Sequence, residues 1–592
     1  MNHTSQLKTL ITGLFVLLTF ICNASPVIYV NQVAFDTRGA KMAVIGDDVK
    51  LPANTSFSLI NGQKKVIYSG VLKGPMQIDE WAKGKFFYQA DFSALVQTGK
   101  YRVSVKVSGK NYLSDEFAVS ENALAVNTLP SIISYYNRQR ANTPTELNAD
   151  KQLLLYGSNK TVDMHGGWCD ASGDVSKYFS HLAYANYMSP QQIPLVTWSM
   201  VNAAQTIPGV LNKLGAYDNM VNEALYGADY IMRALSKDDY FYMIVFSYFN
   251  KDPKARRVVG LKANSVTTDE YQCAFREGGG MAIAALARIS GLKKDGDYKS
   301  TQYLAAAKRA YAHLVINNTK YDDDGKENII DDYCALMAAT ELWIATDSSY
   351  YHNEARKRAQ NIEHRMSPAG YFYANDAGRP FWHASDAGLP IIALCRYLSK
   401  EQNTTDRTQA LSTIKKALDY NLRVTAGVSN PFGYARQTFG LNNKIKDGFF
   451  IPHENETGWW WQGENARLGS LATAAIIGGR LVYPAKGGWG IRKDLSAFAS
   501  HQISWILGGN PYAVCFMYGF GKTNVPYMSS NFGHGSGKGG ISNGITGKEG
   551  NPDGSGIDFK TTDEGNEWRW TEQWLPHAAW FLQAITAMAQ KQ

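Results

Sequence analysis

The sequence predicts a small antiparallel β-sandwich followed by a large, mainly α domain whose helices pack on one another. Three observations carry this. Up to about Val119, apolar residues alternate with period two in short runs closed by Gly, Asn, Asp and Lys. After Glu121 they recur at helical spacing in long, often Ala-rich stretches. No strand-like runs separate those stretches, so their apolar stripes must be buried on each other. At 592 residues the chain exceeds what one compact core holds, so two or more domains are expected.

The first element is an export signal. Lys8 supplies a basic start, residues 10–21 are apolar but too short to span a bilayer, and Cys22-Asn23-Ala24 offers small residues at a cleavage site. Residues 1–24 are therefore read as a signal peptide that sends the chain to the periplasm or the exterior. A lipid anchor on Cys22 is the alternative, disfavoured by the bulky Ile21 before it. No later segment is long and apolar enough to be an integral membrane span.

Residues 25–119 form the sandwich, with Phe57-Ser58-Leu59-Ile60 running into the turn Asn61-Gly62 and clean alternation from Tyr101 to Val107. Residues 120–592 form the helical domain. Helices are expected near residues 174–188, 223–235, 279–289, 303–315, 332–346 and 387–398, then 410–420, 466–481, 497–507 and 574–589. A toroid of paired helices with its loops at one end would bury such stripes, as would other all-α folds. The long loops between the helices, including the Gly-rich residues 533–556, are where function is expected.

A net charge of +8 without a basic run argues against a nucleic-acid partner. Aromatic residues make up 12% of the chain, which suits either large cores or sugar-stacking surfaces. Beyond the signal, Cys169, Cys273, Cys334, Cys395 and Cys515 are odd in number, widely spaced and without a C-x-x-C pair. That is neither a disulfide framework nor a zinc site, so buried thiols are expected and no metal site is assigned.

Two segments carry chemistry. In His165-Gly166-Gly167-Trp168-Cys169-Asp170-Ala171-Ser172-Gly173-Asp174, two carboxylates flank a short flexible turn. Asp174 alone would read as a helix N-cap, but that leaves Asp170 unexplained. Two close carboxylates can orient a water, and one can take its proton. In Asn566-Glu567-Trp568-Arg569-Trp570-Thr571-Glu572-Gln573-Trp574-Leu575-Pro576, Pro576 belongs in a first turn, so the last helix should begin near Glu572. Apolar neighbours would raise the pKa of that carboxyl, as a general acid requires. A first-turn Glu favoured by the helix dipole is the plainer reading.

Candidate substrate-binding residues are Trp168, His383, Arg436, Glu456, Trp460 and Glu464. The aromatic run Trp459-Trp460-Trp461 between Glu456 and Glu464 could wall a cleft. Asp322-Asp323-Asp324-Gly325 with Glu327 hints at a structural calcium, although contiguous carboxylates do not match the alternating EF-hand pattern, and a solvated turn is preferred. No cofactor is required by this chemistry.

These residues resemble glycoside hydrolase family 9. Tyr29-Val30-Asn31-Gln32-Val33 is similar to the start of that family's immunoglobulin-like domain. Arg276-Glu277-Gly278-Gly279-Gly280, Asp331-Asp332-Tyr333-Cys334-Ala335-Leu336 and Ser504-Trp505-Ile506-Leu507-Gly508-Gly509-Asn510-Pro511 follow in family order. The resemblance implies an (α/α)6 barrel preceded by an immunoglobulin-like β-sandwich, and an inverting hydrolase of β-1,4-linked glucan-type poly- or oligosaccharides. It implies Asp174 as general base, Asp170 as its partner on the water and Glu572 as general acid, with Glu567 the competing acid. Inverting chemistry would place acid and base roughly 6.5–9.5 Å apart.

Two departures bear on the substrate. The motif here is Asp-Ala-Ser-Gly-Asp, one residue longer than in typical cellulases, and Pro526-Tyr527-Met528 stands where those enzymes carry His-His-Arg. The longer spacing resembles a branch that includes exo-β-glucosaminidases acting on chitosan-type oligosaccharides, the alternative substrate class. From other classes, a polysaccharide lyase would not need the Asp pair, and a non-catalytic carbohydrate-binding protein would not need Glu572.

Overall fold

The computed structural model describes residues 25–181, 188–248, 255–262, 266–455, 458–530, 533–562 and 565–591. The expected signal peptide, with Cys22, lies outside the described residues, as does Glu456.

The alternating N-terminal runs form two sheets. One is ordered Val27–Tyr29, Met42–Asp47, Phe86–Asp91, Lys73–Met76. The other is ordered Ala34–Asp36, Phe117–Ser120, Gly99–Val107, Ser56–Asn61, Val66–Val71, with Lys110–Leu113 also on Gly99–Val107. Pleating explains the pattern. Tyr101, Val103 and Val105 point into the core, whereas Arg102 and Lys106 point to solvent. Between the sheets, Phe35, Phe92 and Phe117 pack with ring centroids 5.2–5.5 Å apart.

Among the described residues, six helices form a closed inner ring: Ile193–Thr206, Gly280–Ser290, Ile329–Thr346, Leu389–Leu398, Asn465–Val482 and Leu575–Ala589. Each packs on the next, and the last closes on the first. Outer partners cover them: Tyr217–Ala234, Ser300–Tyr321, Ser349–His364, Thr404–Ala426, Lys493–Ile506 and Ala123–Arg138. This is an (α/α)6 barrel. Burial separates the two layers. Every residue of Leu575–Ala589 is buried, whereas Ser300–Tyr321 buries only a stripe, Tyr303, Ala306, Ala307, Ala310, Tyr311, Leu314 and Asn318. The last turns of five inner helices, at Thr206, Arg288, Arg396, Arg480 and Gln590, meet around a cavity of about 290 Å³. Their N-terminal ends therefore share the opposite mouth.

The helix expected at residues 174–188 is absent over its described part. Instead Lys177–Tyr178 is a strand at the edge of a six-stranded sheet with Ile244–Phe246, Arg257–Lys262, Leu153–Leu155, Thr161–Val162 and Val266–Thr268. The cause is Lys177, which reads as a polar helix position but is fully buried on Asp150. The last helix starts at Leu575, and Glu572 precedes it in extended backbone.

The sandwich docks through Gln32. Its backbone N–H donates to the Leu507 carbonyl and its side-chain amide to that of Ala513, while Oε1 accepts from the N–H groups of Lys522 and Thr523. The Asn31-Gln32 pair and the block around Gly508 thus meet as two sides of one interface.

Candidate active site

The Asp170–Asp174 turn is held from both sides. On one side lies a buried ion cluster. Lys177 Nζ is 2.7 Å from Asp150 Oδ2, and Arg256 Nε is 2.8 Å from Asp150 Oδ1. Lys177 also donates to the carbonyls of Met164 and Gly166, and Arg256 to that of Val175, so the cations grip the backbone on both flanks of the turn.

On the other side the turn is zipped to the strand-like stretch that carries Glu572. Ser172 N–H donates to Gln573 O, Gln573 N–H to Ser172 Oγ and Leu575 N–H to Asp170 O, at 2.9–3.1 Å. Gly173 leaves space for the carboxyl: a β-carbon there would lie 3.2 Å from Glu572 Oε1 and 2.8 Å from Met528 Cε. The N-terminal ends of two inner helices adjoin this point: Leu575 N–H donates to Asp170 O, and the side-chain amide of Gln192, which caps Ile193–Thr206, acts on the Asp170 carboxyl. Their partial positive charge favours carboxylates there.

The three carboxyls sit in different surroundings. Asp174 Oδ1 accepts from Ser176 N–H at 2.8 Å and Ser247 Oγ at 3.3 Å, and Oδ2 accepts from Tyr178 O–H at 3.1 Å. Asp170 Oδ1 accepts from the Trp574 indole at 3.0 Å. Burial, then the charges of Asp174 and Glu572, drive Asp170 toward its neutral form. Burial, and secondarily Asp174, push Glu572 up to about 8, against the opposing hydrogen bond with Asn543. At neutral pH Glu572 is thus a protonated carboxyl, a proton donor facing a turn on which Asp174 accepts three hydrogen bonds. Glu567, the competing acid, sits at the start of the short Trp568–Thr571 helix, and Glu572 is the glutamate whose charge acts on Asp170.

With this geometry in place, comparison with known proteins is decisive. Residues 127–553 match the sequence model of glycosyl hydrolase family 9. The chain belongs to that family. Residues 23–110 of this family 9 chain match the cellulase N-terminal immunoglobulin-like domain. Among curated family relatives, endoglucanase 8 of Oryza sativa subsp. japonica is 24% identical over 380 residues, covering 62% of this chain and 66% of that one. A cellodextrinase of Butyrivibrio fibrisolvens is 24% identical over 415 residues, covering 64% and 69%. The match thus spans about two thirds of each relative. A metagenome-derived family 9 endoglucanase superposes with TM-score 0.66 at 16% identity, covering 96% of this chain and 99% of that one. A family 9 protein of Bacteroides ovatus gives 0.59 at 18%, covering 95% and 98%.

The described residues expected to line the cleft have partners within the protein. Trp168 is fully buried, its indole donating to Glu223 at 2.7 Å, because the turn needs an anchor in the core. His383 is fully buried, its Nδ1 accepting the N–H groups of Ser385 and Asp386, and burial pulls it down to about 3. Glu464 is buried against Arg467 at 2.6 Å and accepts from Ile451 N–H. Arg436 donates to the carbonyls of Val424 and Asp447 and covers the Phe449 ring. Trp168 and Glu464 thus have their polar atoms engaged within the protein, whereas His383 Nε2 and Arg436 Nε have no hydrogen-bond partner among the described residues, and Arg436, only partly buried, lines a cavity with Tyr371, Phe381 and Trp382. Trp460 is buried in one cluster with Ala171, Trp382 and Trp574, its ring 6.3 Å from that of Trp574.

The residues missed are Trp574, Tyr178, Ser247 and His181, which touch the carboxylates or their donors. The His181 ring lies 4.8 Å from that of Tyr178 and 6.3 Å from that of Trp574. Trp574, two residues after Glu572, was the one with a sequence signal. In the Asp322–Asp324 turn, Arg276 places its guanidinium against Asp322, Asp323, Asp324 and Asp331, supplying there the positive charge a cation would bring. Glu146, Cys169 and His534 bring ligand-type atoms within 4.8 Å of one another, and His534 Nε2 lies 2.7 Å from Glu146 Oε1 as an ion pair that ties the Gly-rich loop to the barrel.

Proposed function

We propose that this family 9 glycoside hydrolase is an exported enzyme that cleaves β-1,4-linked glucan poly- or oligosaccharides with inversion. The observation that carries the reading is the unequal carboxyl trio: Glu572 held neutral by burial beside a turn whose Asp174 accepts three donors. Asp174 takes a proton from the attacking water, Asp170 holds the other side of that water, and Glu572 protonates the departing glycosidic oxygen. The glucan assignment is supported by the endoglucanase and cellodextrinase names of the relatives.

Stereochemistry tests the mechanism. If Asp174 activates water opposite the leaving sugar, a β-linkage releases the α-anomer first. Proton NMR of early products from cello-oligosaccharides should show that anomer. An initial β-anomer would mean a covalent glycosyl intermediate and would sink the assignment. Products absorbing in the ultraviolet would instead indicate a lyase.

A further inference from the structure

Among the described residues, the two oxygens of Asp174 are held unequally. Oδ1 already has two donors, Ser176 N–H and Ser247 Oγ, whereas Oδ2 has one, the Tyr178 phenol at 3.1 Å, and keeps a lone pair for another partner. The phenol is rigidly placed. Tyr178 pairs in the sheet with Ile244, its neighbour Lys177 is pinned on Asp150, and its ring is almost fully buried beside His181. Burial, with Asp174 and Asp170 nearby, pushes its ionisation far upward, so it stays a donor throughout the working pH range.

We infer that Tyr178 is a positioning residue for the water-activating carboxylate: its O–H fixes the rotation of Asp174 so that Oδ2 meets the water, and favours the ionised form that accepts the proton. The inference rests on Asp174 being the base. Ser176 and Ser247 complete the frame, with Ser247 Oγ 3.0 Å from Ser176 Oγ. Because Phe would fill the same space, the hydroxyl is the atom that matters.

The test is Tyr178→Phe in the full chain. The expected result on a cello-oligosaccharide is a kcat lower by ~10-fold or more with KM within about twofold, since a group acting only through the base does not hold sugar. The acid limb of the pH–rate profile should move to higher pH, because loss of a donor to the carboxylate makes its protonated form easier to reach. Unchanged kcat and an unmoved acid limb would overturn the inference. So would a lowered kcat with an unmoved limb, which is what a merely structural role would give.

Two further measurements keep the test independent of folding and of substrate. Site-specific replacement of Tyr178 by 3-fluorotyrosine, an isosteric and stronger donor, should move the limb the opposite way. Carbon-13 NMR titration of labelled aspartates in the resting enzyme, with Asp174→Asn assigning the signal, should show Asp174 titrating at higher pH in Tyr178→Phe. That shift is expected whether or not glucan is the substrate, and its absence refutes the role of Tyr178 without touching the proposed function.

Discussion

The Trp574 indole N–H donates to Asp170 Oδ1 at 3.0 Å, across 404 residues of chain. Trp574 is two residues from Glu572, so the segment that carries the proposed acid also holds Asp170, one of the two carboxyls proposed to bind the water. Its ring lies 6.3 Å from Trp460, and both belong to one buried cluster. Trp574→Phe keeps an aromatic ring in that cluster and deletes the donor. Turnover should fall roughly 10- to 100-fold, the range of a mispositioned catalytic contact. Wild-type kcat in the purified variant would show that Asp170 is held adequately without it.

Asp174→Asn and Glu572→Gln should each lower kcat by about 10²- to 10⁴-fold with circular dichroism unchanged, because each removes one proton transfer at nearly constant shape. They should differ on an aryl β-cellobioside, whose phenolate leaves without protonation. Glu572→Gln should recover much of its rate on that substrate and Asp174→Asn should not. Equal rescue of both would reverse or void the assigned roles.

The pH profile should be bell-shaped, and the sign of its basic limb follows from Glu572. The acid must be protonated to act, and burial pushes it up to about 8, so kcat/KM should hold through neutrality and fall as pH rises through about 8. In Glu572→Gln the residual activity should lose that limb. A basic limb that persists unchanged in this variant would assign it to another group.

The buried Lys177–Asp150–Arg256 cluster should dominate the stability of the catalytic turn. Asp150→Asn leaves two cations without their carboxylate in a site closed to solvent, a loss of about 3–5 kcal/mol. Urea denaturation should report it, with activity declining in parallel because both flanks of the turn are tied to these cations. A change under about 1 kcal/mol would show that the backbone zipper to residues 572–575 suffices alone.

Much of this architecture was readable from periodicity. The sandwich alternation and most of the inner helices follow from apolar spacing, and the Asp170, Asp174 and Glu572 segments from their acids and glycines. Two kinds of residue defeated that reading. Ile193–Thr206 is apolar on nearly every side, so it shows no polar face to mark a helix. Lys177, Trp168, His383 and Glu464 look like surface or cleft chemistry but satisfy buried partners, and the partner that makes a polar group structural lies far away in sequence. Ser247 and Tyr178 were invisible for the same reason: their value comes from meeting Asp174 across a sheet that no local pattern announces.

Asp170 and Glu572 belong to opposite ends of the helical ring, and the hydrogen bonds between their segments lie where its last helix closes on its first. One seam therefore does two jobs: the backbone bonds of Ser172, Gln573 and Leu575 that zip the turn to the following segment lie where the ring of helices is closed, so loosening that closure would also loosen the turn.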